Sequence, residues 1–128
     1  MYVPGKSKCL LVPSGPATDG KHLYIIMTRE CDEGCHLVIP VESVYPGEYY
    51  DPACLFKGGE HTFIKHLTFV SYSRARIWSI KDICRHVANF TYLLHDDATP
   101  ELIAAIYEGA NHSKRASKLI KSYLTANS

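Results

Sequence analysis

The stretch Thr68-Phe69-Val70-Ser71-Tyr72-Ser73-Arg74-Ala75-Arg76-Ile77-Trp78-Ser79-Ile80-Lys81-Asp82-Ile83-Cys84-Arg85-His86-Val87 changes its period part-way through. Thr68–Tyr72, continuing to Ile77-Trp78, alternates well enough to read as a strand. From Ser79 on, Ile80, Ile83, Cys84 and Val87 recur at i, i+3, i+4 and i+7, one apolar stripe on a helix with Ser79 as its N-cap. The chain changes character here.

Before the switch the chain reads as short strands. Cys9–Val12 is an apolar run that stops at Pro13-Ser14-Gly15-Pro16, where two prolines fix φ. His22–Thr28 is rich in β-branched and aromatic residues, and Glu30–Gly34 makes a polar turn. His36–Val44 is a third strand, in which Pro40 argues for an edge or a bulge. Ala53–Phe56 and Phe63–Ile64 read as a hairpin around Gly58-Gly59. Beyond the switch the chain reads as helices. Thr99 and Pro100 open the second, with Leu102, Ile103, Ile106 and Tyr107 as its buried face and Gly109 as its stop. Ser113 or Ser117 opens the third, with Leu119, Ile120, Tyr123 and Leu124 facing the core. Strands then helices predict an α+β fold in a single domain over 1–128: a small antiparallel β-barrel part over 8–78 and a helical part over 79–125.

Of the 128 residues 46% are hydrophobic and 21% charged, which excludes a disordered tail, a coiled coil and a collagen-like rod. No apolar run approaches the roughly 18–20 residues of a membrane span, and the start Met1-Tyr2-Val3-Pro4-Gly5-Lys6 has no apolar leader core. The expectation is a cytoplasmic protein with no membrane partner. Its five cysteines, an odd number, read as reduced packing thiols. The net charge is +1, but its distribution is uneven. Residues 29–60 carry two basic and seven acidic side chains, whereas 61–78 carry Lys65, Arg74 and Arg76 and no acid. Residues 112–124 carry Lys114, Arg115, Lys118 and Lys121, again with no acid, so two basic segments are available for an anion-binding surface.

The motifs that announce nucleotide-binding folds, zinc proteases, serine hydrolases and CxxC redox sites are absent. Cys31-x3-Cys35-His36 has zinc-ligand chemistry but lacks a second pair at matching spacing, so no metal is expected, and no cofactor. Gly58-Gly59-Glu60-His61-Thr62-Phe63-Ile64-Lys65-His66 is the densest stretch of chemistry. If faces alternate there, His61, Phe63 and Lys65 share a side. An imidazole and an ammonium are what metal-free phosphodiester cleavage needs, one to move the proton and one to stabilise the phosphorane. The plainer alternative is that His61 ties down a hairpin and Lys65 is solvated. Arg74 and Arg76 place two guanidinium forks on one strand face, suited to phosphate oxygens. Lys114, Lys118 and Lys121 form a stripe opposite the apolar face of the third helix. Asp96-Asp97 read as charge ahead of a helix N-terminus.

Three segments carry a resemblance to a known family. Lys8-Cys9-Leu10-Leu11-Val12-Pro13-Ser14-Gly15-Pro16, His22-Leu23-Tyr24-Ile25-Ile26-Met27-Thr28 and Phe69-Val70-Ser71-Tyr72-Ser73-Arg74-Ala75-Arg76-Ile77 resemble the first strand and loop, the second strand, and the late strand of the PemK/MazF-like toxin family of SH3-like small barrels. The helical plan of Leu94–Leu124 is also similar. The family's arginine before the second strand is Lys21-His22 here, and the charged pair its ribonucleases use in the late strand falls on Ser71 and Ser73; Thr28 and Arg76 match by type. The resemblance implies a toxin–antitoxin protein, a metal-independent endoribonuclease acting on single-stranded RNA. Its expected partners are RNA, an antitoxin-like protein and a second copy of the chain. The RNA's own 2′-hydroxyl is then the nucleophile. The catalytic candidates are His61, His22, Thr28 and Arg76, and the RNA-binding candidates Lys65, Arg74, Lys114 and Lys118. The alternative is a non-catalytic small-barrel module that binds a protein or nucleic acid.

Overall fold

Two strands are apolar on consecutive positions, and this sets the layering. The computed structural model describes residues 1–14 and 20–128, so the Gly15-Pro16 end of the first loop lies outside the described residues. In chain order the elements are β1 (Cys9–Pro13), β2 (Lys21–Ile26), β3 (Cys35–Ser43), β4 (Leu55–Phe56), β5 (Thr68–Val70), β6 (Arg76–Ser79), α1 (Ile80–Ala88), β7 (Leu93–His95), α2 (Pro100–Ala110) and α3 (Lys118–Ala126). In β1, β2 and β3 both faces are covered. Cys9, Leu23, Ile25, Leu37, Ile39 and Val41 pack with Leu102 and Ile106 of α2 and Ile120 and Leu124 of α3. On the other face Leu10, Val12, Tyr24, Ile26 and Val38 pack with Ile83 of α1. Strands buried on two sides read as continuous apolar runs, as HLYII and LVIPV do.

The sheet is antiparallel throughout, in the order β4-β5-β3-β2-β1-β7, with β6 also paired to β3. This is the α+β plan expected, but the ladder is open: among the described residues β4, β6 and β7 each pair along one side only. One edge of β3 holds two partners end to end, β6 opposite Cys35–Val38 and β5 opposite Val41–Ser43. The strand expected to run from Thr68 to Trp78 is therefore two strands, split by a single 3-10 turn at Tyr72–Arg74. Pro40 sits at the gap between them, in the central strand and not at an edge. Its carbonyl accepts the Ser71 N–H (2.9 Å), and a strand residue's nitrogen points to the same side as its oxygen. The missing donor thus faces the gap, where no ladder bond is lost.

Three further expectations are corrected. The hairpin around Gly58-Gly59 is formed by β4 and β5, register Leu55↔Phe69, so Phe63–Ile64 lies in the connecting loop. The part over 79–125 is not wholly helical, because β7 pairs with β1 along Cys9↔His95. Gly109 lies inside α2, which ends at Ala110. A Cβ there would meet the Tyr72 hydroxyl and approach Cys54 Cβ to 2.6 Å, so the residue allows close packing and does not end the helix. The Tyr72 hydroxyl donates to the Ile106 carbonyl (2.6 Å) at this crossing.

The helix starts obey the expected chemistry. Ser79, Thr99 and Ser117 accept the backbone N–H of Asp82, Leu102 and Ile120 respectively, at 3.1–3.2 Å. Leu119, expected in the core, is exposed; Ile120 and Leu124 carry the packing of α3.

Candidate functional site

A polar cleft of about 500 Å³ opens where β2 begins and β3 ends. The register Leu23↔Val41 sets His22 beside Glu42, because in an antiparallel pair the residue before Leu23 faces the residue after Val41. The 3-10 turn after β5 then brings Arg74 over the same carboxylate. His22 Nε2 lies 3.7 Å and Arg74 Nη1 3.6 Å from Glu42 Oε1. The Ser14 hydroxyl meets Nδ1 of His22. Partly exposed pairs of this kind are worth about 0–1 kcal/mol. Glu42 therefore organises the two cationic groups more than it stabilises the fold.

Other groups surround this trio. Lys21 and Lys65 line the cleft, as do Ser71 and Ser73. His66 Nε2 is 2.6 Å from Ser43 Oγ. Arg115 closes the far wall, its guanidinium 4.6 Å from the Tyr49 ring centroid and its Nε donating to the Tyr49 hydroxyl (3.1 Å). A buried node holds that wall. Ser113 Oγ donates to Asp51 Oδ2 (2.6 Å) and accepts the N–H groups of Arg115 and Ala116. Outside the cleft lining, Tyr24 stacks on Trp78 (5.1 Å), which stacks on Tyr92 (5.2 Å). Burial raises the Tyr24 phenol, while Arg74 and Arg76 pull it down and Glu42 raises it further.

The sequence candidates divide sharply by place. His22, Arg74 and Lys65 meet in the cleft. His61 does not: it is buried, its Nε2 donates to the Asp96 carbonyl (2.8 Å), and its Nδ1 accepts the Phe63 N–H (3.0 Å). Neither ring nitrogen is free, and Lys65 is not on its side. Thr28 is fully buried, its Oγ1 accepting the Leu37 N–H (3.0 Å) and its carbonyl accepting from His36 Nδ1 (2.9 Å). Arg76 is exposed on β6, donating to its neighbour's carbonyl at Ala75 (2.9 Å). Lys114 and Lys118 are exposed and do not line the cleft. From that basic segment Arg115 does.

The rest of the Gly58–His66 stretch is a folded knot. Gly58 has φ 129°, and a Cβ there would crowd the Lys65 carbonyl at 3.1 Å. The Glu60 carboxylate accepts the Lys57 and Gly58 N–H groups, each at 2.8 Å. Slight burial pushes its pKa up, but these N–H groups, its own, and the Lys57 charge outweigh that and hold it below the usual range. Thr62 Oγ1 donates to Asp96 Oδ2 (2.7 Å), and Lys8 pairs with Asp97 (3.3 Å). The two aspartates thus anchor loops and strands, beyond any effect on α2. The knot delivers Lys65 and His66 to the cleft.

Among the described residues no group of three His, Cys, Asp or Glu side chains is placed to hold a metal ion. No helix there is long and apolar enough to cross a membrane. No protein-family model and no curated protein matches the sequence. The cleft's chemistry is therefore read from its own groups: an imidazole backed by a carboxylate, with guanidinium and ammonium groups around it.

Proposed function

We propose that the cleft binds single-stranded RNA and that the chain is a PemK/MazF-like, toxin-type endoribonuclease on an SH3-like scaffold, working without a metal. The observation that carries this is the convergence of His22 and Arg74 on Glu42, with Lys21, Lys65 and Arg115 around them. In this reading the RNA's 2′-hydroxyl attacks the adjacent phosphorus after His22 takes its proton. Glu42 steadies the imidazolium, and Arg74 and Lys65 stabilise the phosphorane oxygens. The 5′-oxygen leaves with a proton drawn from water, the resulting hydroxide takes the proton held by His22, and a 2′,3′-cyclic phosphate remains. Arg76, exposed on β6, extends the cationic surface toward the neighbouring phosphates. Cytoplasmic action, an antitoxin-like protein covering the cleft, and pairing of two copies belong to the same reading.

One observation favours a module that binds without turnover. Where the family's ribonucleases carry a charged pair, Ser71 and Ser73 stand, and both line this cleft. The two readings separate in one assay of single-stranded RNA in EDTA. Cleavage that survives EDTA and falls about 10²–10⁴-fold in Arg74→Ala supports the nuclease. Binding without cleavage, with a salt slope shallower by about one in Arg74→Ala, supports the binding module. Neither binding nor cleavage by the folded chain refutes both.

A further inference from the structure

The turn joining β2 to β3 closes on two cysteines. Gly34 N–H bonds the Cys31 carbonyl (2.9 Å), Cys31 N–H bonds the Cys35 carbonyl (2.9 Å), and Gly34 has φ 73°. This is a turn followed by a left-handed glycine, the three-residue hairpin loop that sets the flanking residues opposite each other. Opposed residues hold their Cβ atoms about 4.5–5.5 Å apart, within about 1 Å of a disulfide's span. Both thiols are free and half-exposed, and the Cys35 thiol donates to the Glu33 carbonyl (3.8 Å). Tyr123 of α3 lies against the pair. Its hydroxyl donates to the Cys35 carbonyl (3.2 Å).

The two sulfurs differ in character. The Tyr123 hydroxyl above all, with backbone N–H groups, favours the Cys31 thiolate against slight burial and Glu33. Burial and the nearby Cys31 and Glu33 charges push the Cys35 thiol up. Elsewhere burial raises Cys9 to about 12 and Cys54 to about 11, and Cys84 donates to the Tyr2 carbonyl (3.6 Å). An exposed, activated thiol beside a second thiol is the arrangement of a redox pair.

We propose that Cys31 and Cys35 are a reversible redox pair, oxidised to a disulfide by hydrogen peroxide. The Cys31 thiolate attacks one peroxide oxygen, the O–O bond breaks, and hydroxide leaves to become water. Cys31 then carries a sulfenic acid. The Cys35 sulfur displaces its hydroxyl, which departs with the Cys35 proton as a second water, and the Sγ–Sγ bond forms. Two thiols lose two electrons and one peroxide gains two. A thiol reductant reverses the step by exchange.

The test treats the reduced 128-residue chain with stoichiometric peroxide and maps the product after cleavage behind glutamate. Cutting behind Glu33 leaves the Cys31 and Cys35 fragments joined only if they are bridged. The expected product has lost two hydrogens, holds that bridge, and regains its mass with dithiothreitol. In Cys35→Ser the expected product is a Cys31 sulfenic acid trapped by dimedone, and in Cys31→Ser no bridge. Tyr123→Phe is expected to slow Cys31 alkylation several-fold, with Cys31 still at least about tenfold faster than Cys9 or Cys54. Circular dichroism checks that each variant is folded. Unreacted Cys31 and Cys35 in the folded wild type, or oxidation at Cys9, Cys54 or Cys84 first, would overturn the proposal.

Discussion

The Gly58–His66 loop and the cleft beside it use the same kinds of side chain to opposite ends. In the loop the polar groups are met from within the chain: Glu60 by Lys57 and Gly58, His61 by Asp96 and Phe63, Thr62 by Asp96. In the cleft Arg74 and His22 share a distant carboxylate, with the Ser14 hydroxyl on the other nitrogen of His22, and their side chains stay 48% and 27% exposed. Polar groups whose partners are all internal specify a conformation; groups held in place but still open to solvent are available to a ligand. Density of chemistry along the sequence marks the first region, and availability in space marks the second.

A large structural effect is expected from a backbone substitution in the loop. Gly58→Ala meets both a left-handed backbone and the Lys65 carbonyl, so denaturant unfolding should show a loss of about 1–3 kcal/mol. Unchanged stability would mean that the loop is not the fixed element described. A smaller effect is expected in the cleft, where Glu42→Gln should alter unfolding stability by less than about 1 kcal/mol. A larger loss would make Glu42 part of the scaffold. The smallest effect concerns acid. Because the folded-state pKa of Glu60 is depressed, its contribution is fully present above the unfolded carboxyl value of about 4.3 and is lost as pH falls through the folded value. The stability gap between wild type and Glu60→Gln should therefore close below about pH 4, as read from unfolding curves across pH. A gap that persists in acid would show that the charge is not what holds the loop.

Much of the scaffold was legible in the sequence because its signals are local. The caps Ser79 and Thr99 and the apolar runs of β1, β2 and β3 need no knowledge of their partners. Leu93–His95 has no strand signature of its own, because three residues hold too little periodicity and their pairing is with β1, more than eighty residues earlier. The break at Tyr72–Arg74 was hidden by side chains that go on alternating in polarity through a turn. The cleft was half legible. His22, Arg74 and Lys65 stood out by type, but Glu42 joins them through the β2–β3 register, and Arg115 through the Asp51–Ser113 node. Neither relation has a signature in one segment alone. His61 misled for the converse reason: its setting among glycines and a lysine is the same whether its nitrogens face a substrate or the Asp96 carbonyl.

The most direct test of this division exchanges the two histidines' fates. His22→Ala and His61→Ala are each measured for unfolding stability and for action on single-stranded RNA. His22→Ala should unfold like the wild type while losing RNA cleavage about 10²–10⁴-fold, or RNA affinity if the chain only binds. His61→Ala should lose about 2–4 kcal/mol of stability, with the RNA activity of its folded fraction retained. A stable His61→Ala chain that has lost its action on RNA, beside a fully active His22→Ala chain, would contradict the account.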